Sequence, residues 1–91
     1  MKLTCFVLAG CPYCAAAREI IGELRAEHPE YAGIEIELID ERREPETAAS
    51  YEYYYVPSFF LGREKLYEAD PAMPRDEVKR RLAGMLDALT R

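Results

Sequence analysis

The chain opens with a largely apolar stretch, Lys2 to Leu8, which Ala9-Gly10 halts. Cys11-Pro12-Tyr13-Cys14 follows at once, and a helical pattern then runs to about Glu27. This junction constrains the fold more than any other feature. The first stretch is rich in β-formers and does not alternate, which suits a strand covered on both faces. The next repeats Ala17, Ile20, Ile21 and Leu24 at intervals of three and four, the mark of a helix with one buried stripe, and Pro29 stops it. Ile34 to Ile39 reads as a second strand. The opening is therefore a β-α-β unit, which makes its strands parallel and its crossover right-handed.

The rest of the chain completes a small sheet. Asp40 to Glu46 is a charged connection, and a short helix is predicted over Pro45 to Tyr51, with its proline in the first turn. Ser58 to Leu61 and Lys65 to Glu68 are strands joined by a turn at Gly62-Arg63-Glu64, so they form an antiparallel hairpin. After a loop over Asp70 to Pro74, a last helix spans about Arg75 to Leu89, with Val78, Leu82, Met85, Leu86 and Leu89 on one face. The order β-α-β-α-β-β-α predicts an α/β fold with a four-stranded mixed sheet flanked by three helices. At 91 residues one core fits, so residues 1–91 are expected to be a single domain. Hydrophobic residues at 49% and charged residues at 32% predict a globular chain. The excess of 17 acidic over 12 basic residues speaks against nucleic acid as a partner. No apolar run approaches the length of a membrane span.

Three cysteines are an odd count for a disulfide framework, and two of them are spaced C-x-x-C. That points to a reducing compartment, with the cytoplasm as the expected location, and to thiols used as chemistry. Leu8-Ala9-Gly10-Cys11 also passes a crude lipoprotein-box search. The apolar run before it is short, however, and cleavage there would delete the best strand. Zinc would need four ligands, and only Cys5 and His28 are spare, with His28 at the far end of the helix that Cys11 starts, so no metal is expected. With Cys11 at the N-cap and Pro12 at the first helical position, the free amides of Tyr13 and Cys14 are expected to point back at the Cys11 side chain. They and the helix dipole favour a thiolate, the attacking form. Cys14, one turn deeper, is expected to be more buried and able to reach the Cys11 sulfur. The pair then supports two-step exchange: Cys11 captures a substrate disulfide, and Cys14 displaces the product.

Cys11-Pro12-Tyr13-Cys14 is the active-site signature of glutaredoxins, and the whole chain resembles the thioredoxin-like fold in its compact, glutaredoxin-sized form. Val56-Pro57 is the second marker, for in these families a cis-proline after Val or Ile sits beside the active cysteines. The resemblance implies a thiol-disulfide oxidoreductase with Cys11 as nucleophile and Cys14 as resolving thiol. It implies a substrate groove lined by Tyr13, Tyr55, Val56 and Pro57, with the Val56 backbone open to an extended segment. It also implies disulfide-containing protein substrates, glutathione or a thioredoxin-reductase-like donor as reductant, and a monomer with no bound cofactor. The departures fall at the glutathione site. Where glutaredoxins carry Gly-Gly, a variable residue and Asp-Asp, this chain has Tyr67-Glu68-Ala69-Asp70-Pro71. Only Asp70 survives as a binding residue, and Tyr67 and Glu68 are expected to crowd or repel glutathione. The usual Lys before the first cysteine is also missing.

Other residues are read more plainly. Cys5 is expected as a buried apolar side chain. Tyr51 and Tyr53 are expected in the core, while Tyr54 or Tyr55 offers an aromatic surface to a partner. Arg18, Arg42 and Arg43 are read as solvated, and His28 as a partner for the last carbonyls of its helix. Two readings without catalysis share the fold: an iron–sulfur module, which Pro12 and the weak glutathione pocket disfavour, and an adaptor presenting its tyrosines.

Overall fold

The structure, a computed structural model, describes residues 1–91. The elements are β1 (Lys2–Val7), α1 (Pro12–Glu27), a 3-10 turn (Pro29–Gly33), β2 (Glu35–Asp40), α2 (Pro45–Ala49), β3 (Ser58–Leu61), β4 (Glu64–Glu68) and α3 (Arg75–Leu89). They build one four-stranded sheet in the order β2-β1-β3-β4. β1 and β2 run parallel from Lys2–Glu35 to Val7–Asp40, and the pairs β1–β3 and β3–β4 are antiparallel. This is the mixed α/β sheet that the sequence predicts.

β1 lacks alternation because both of its faces are covered. Leu3 and Cys5 face the larger core with Ile20, Leu24, Leu82 and Leu86, contributed by α1 and α3. Phe6 faces the opposite side, where a smaller cluster gathers Ile39, Ala48 and Phe60, with Tyr51, Tyr53 and Val56 packed against it. Neighbours on a strand point to opposite faces, and β3 repeats the division: Phe59 joins the first cluster and Phe60 the second. Across the sheet from β3 the pairing passes from Tyr67 to Lys65, a β-bulge that leaves Leu66 over.

Several boundaries move. β1 ends at Val7 because the Leu8 carbonyl accepts the Cys11 N–H at 3.1 Å, closing a turn that Gly10 makes with φ 84°. Pro29 begins a 3-10 turn as well as ending a helix, and that turn buries Tyr31. β2 starts one residue late and reaches Asp40, which pairs with Val7. α2 stops at Ala49, where the Ser50 hydroxyl bonds back to the Thr47 carbonyl at 2.7 Å, a local competitor that favours a helix end. β4 gains Glu64, with Gly62 at φ 61° in the tight turn. His28 is corrected too. Its backbone N–H, not its ring, bonds the Leu24 carbonyl, and the ring lies against Tyr31 with centroids 5.0 Å apart.

Candidate active site

The site forms where β1 and β2 end, the side of a parallel pair on which crevices open. The β1 to α1 turn delivers Cys11 as the N-cap of α1, followed by Pro12 at the first helical position. The expected hydrogen bonds from the Tyr13 and Cys14 amides to the Cys11 side chain are absent. Sulfur is a weak acceptor, and the Cys11 Sγ instead lies 4.0 Å from the Val56 carbonyl oxygen, 45 residues away in sequence. The partial positive charge of the helix start still acts on this position. Val56-Pro57 is cis, and Pro57 is buried. Thus the cysteine that opens α1 and the proline that leads into β3 face one another.

All three thiols are free. Cys11 is half-buried and Cys14 buried. Burial pushes the Cys14 thiol up to about 11, with the neighbouring Cys11 and Glu41 adding to the effect and a backbone hydrogen bond at Leu8 opposing it. Burial likewise pushes Cys5 far up, and it packs inside the larger core as a small apolar side chain. Alkylation of the reduced native protein at neutral pH should therefore label Cys11 alone. Label on Cys14 should appear only as the pH climbs toward 11, and Cys5 should react only on unfolding. Peptide mapping after a timed iodoacetamide pulse checks this.

Tyr13, Tyr54 and Tyr55 are 48%, 92% and 54% exposed, whereas Tyr51 and Tyr53 lie on Phe6 with ring centroids 4.7 and 5.0 Å away. Arg63 places its guanidinium 4.3 Å above the Tyr51 ring. Tyr13, Pro57 and Asp70 share the walls of one small depression of about 190 Å³ with Tyr67 and Met73. The Asp70 carboxylate is partly engaged, accepting the Ala72 N–H at 2.9 Å. The largest depression, about 920 Å³, lies among Ser50, Tyr51, Tyr54, Arg63 and Lys65 and contains no cysteine.

Two acidic residues have roles here that differ from those their sequence suggests. Asp40, which the sequence places at the start of a charged loop, accepts the Ala9 N–H at 3.1 Å and the Arg42 N–H at 2.8 Å, tying the turn before Cys11 to the end of β2. Its place at the carboxyl end of a parallel strand was the available signal. Glu68, expected to repel a ligand, directs one carboxylate oxygen at the Tyr54 and Tyr55 amides, at 2.6 and 2.8 Å. Tyr67, expected to crowd the same place, is buried with its ring edge-on to Phe59, 5.9 Å between centroids. No local pattern announces either arrangement. No three His, Cys, Asp or Glu side chains converge as metal ligands, and no helix is long and apolar enough to cross a membrane.

No family description matches the chain. In sequence it is similar to a thioredoxin of Methanocaldococcus jannaschii, 26% identical over 84 residues that cover 90% of this chain and 96% of that protein. In structure it is similar to thioredoxin 1 of Thermosipho africanus, with a TM-score of 0.61, 20% identity and full coverage of both chains. A malarial protein superimposes with a TM-score of 0.59 at 13% identity, over 93% of this chain and 96% of the other.

Proposed function

We propose that this thioredoxin-like chain reduces disulfide bonds of proteins by dithiol exchange in a reducing compartment, drawing its electrons from a thioredoxin-reductase-like flavoenzyme rather than from glutathione. The carrying observation is the Cys11 thiol at the head of α1, facing the carbonyl before cis-Pro57 and standing over a buried second thiol.

Cys11 as thiolate attacks one sulfur of the substrate disulfide. That S–S bond breaks, its other sulfur leaves as a thiolate that takes up a proton, and a mixed disulfide joins Cys11 to the substrate. Cys14 then loses its proton and attacks the Cys11 sulfur. The Cys11–Cys14 bond forms, and the second substrate sulfur departs as a thiol. Two electrons have passed to the substrate, and the external donor restores both thiols. The burial that holds the Cys14 proton keeps it neutral at pH 7 until a mixed disulfide is present to be attacked. The Val56 carbonyl lies 4.0 Å from the reacting sulfur, Tyr13 and Tyr55 are exposed, and an extended segment docking on the Val56 backbone would add as a strand.

Three observations support a donor other than glutathione. Tyr67 stands where glutaredoxins carry a glycine and walls the depression that holds Asp70, Glu68 is committed to a neighbouring loop, and Asp70 already accepts a local amide. The similar protein of Methanocaldococcus jannaschii is also called a thioredoxin. The test offers the oxidised protein two reductants, glutathione and NADPH with a thioredoxin reductase. Faster reduction by the flavoenzyme is expected. Faster reduction by glutathione at millimolar concentration would move the protein to glutathione-dependent exchange.

A further inference from the structure

The segment from Glu52 to Pro57 belongs to no helix or strand, yet it carries two exposed tyrosines and ends on the cis-proline. Its middle has little apolar anchorage, since the Tyr54 side chain is 92% exposed. Tyr53 and Val56 pack on the smaller cluster to either side, and polar contacts hold the two residues between them. Glu68, the last residue of β4, accepts the Tyr54 N–H at 2.6 Å and the Tyr55 N–H at 2.8 Å with one oxygen. Its other oxygen accepts Lys65 Nζ at 2.6 Å. On the other side of the turn the Ser58 hydroxyl donates to the Tyr55 carbonyl at 2.5 Å, and the Ala69 N–H donates to the Pro57 carbonyl at 3.0 Å. The next residue along, Val56, presents the carbonyl that lies 4.0 Å from the Cys11 sulfur.

We propose that Glu68 is a positioning residue for protein substrates: by gripping two successive amides it fixes the Tyr54-Tyr55 turn, and with it the Val56 backbone that a docked segment would meet beside Cys11. This rests on the oxidoreductase reading above and adds the part that sets where a polypeptide docks. Hydrogen bonds to an ionised carboxylate are stronger than neutral ones, and two of them converge here. Burial works against ionisation of Glu68, but Lys65 and the Tyr55 and Tyr54 amides outweigh it and hold the carboxyl below the usual range. The grip is therefore charged at neutral pH. A small disulfide needs only the two thiols and should be indifferent to the grip, whereas a protein disulfide needs the loop.

The test compares wild type with Glu68→Ala and Glu68→Gln on a protein disulfide and on a small aromatic disulfide. For Glu68→Ala the KM for the protein disulfide should rise about tenfold, the loss of a charge-assisted contact. Its kcat, and its rate on the small disulfide, should stay within about twofold. Glu68→Gln keeps one accepting oxygen without the charge and should fall between. In wild type the Tyr54 and Tyr55 amide proton shifts should follow the titration of a single carboxylate, and in Glu68→Gln they should not. An unchanged KM in Glu68→Ala, or equal losses on both substrates alongside a lower melting temperature, overturns the positioning role. Amide shifts that ignore the carboxylate overturn it independently of turnover. A wild-type protein inert toward both disulfides would instead count against the oxidoreductase reading.

Discussion

Cys11→Ser should lower turnover of a protein disulfide by at least about a thousandfold, since removing a nucleophile alone costs about as much as removing the whole catalytic set. A serine hydroxyl neither ionises near neutrality nor exchanges with a disulfide. The fold should survive, because Cys11 is half-buried and its bond to the Val56 carbonyl is long, at 4.0 Å. Cys14→Ser should behave differently. Cys11 still attacks, but nothing displaces the captured sulfur, so a covalent complex should accumulate and be seen at the summed mass of enzyme and substrate. Substantial turnover by Cys11→Ser would leave the fold as an adaptor, with its thiols incidental. Loss of the covalent complex in Cys14→Ser would assign the attack to another sulfur.

The second large effect lies on the other face of the sheet. Phe6→Ala should destabilise the protein by about 3–5 kcal/mol, the usual cost of emptying a large aromatic site. Against a total of about 5–15 kcal/mol for a domain this removes much of the margin. Phe6 is fully buried and lies against three rings, with centroids of Tyr51, Tyr53 and Phe60 at 4.7, 5.0 and 5.7 Å. The cluster it belongs to has only 4 buried members, Phe6 included, so few neighbours can close the cavity. The same rings carry the chain from α2 toward Val56-Pro57, so the variant should also lose activity on protein disulfides at temperatures where it remains folded. Urea melts check the energy: the midpoint should fall with little change of slope. A loss below about 1 kcal/mol would mean that the small cluster scarcely contributes to the stability of the sheet.

Much of this was legible in the order of residues. The β1–α1 junction, the hairpin and α3 were fixed by apolar spacing and by Gly62, and the C-x-x-C pair was marked by its place between strand and helix. The cores on both faces were implicit in a strand that does not alternate. Boundaries were read less well, because single hydrogen bonds decide them: the Cys11 amide on Leu8, and the Ser50 hydroxyl on Thr47. The expected cap on Cys11 does not form, since the thiol turns to donate to the Val56 carbonyl, 45 residues distant. Glu68 looks like an obstacle to a ligand in sequence because nothing local marks its partners, the amides of residues 54 and 55.

Sequence alone determined the chemistry on offer and the plan of the sheet, because periodic burial and the thiol spacing on one helical turn are local properties. Tertiary structure decided what each reactive group meets. The sulfur of Cys11 faces a carbonyl instead of its own amides, the carboxylate of Glu68 serves a loop, and Asp40 ties down the turn before the first cysteine. These are contacts between segments far apart in the chain. Their geometry depends on how strands stack and where a loop returns, which no spacing of residues encodes.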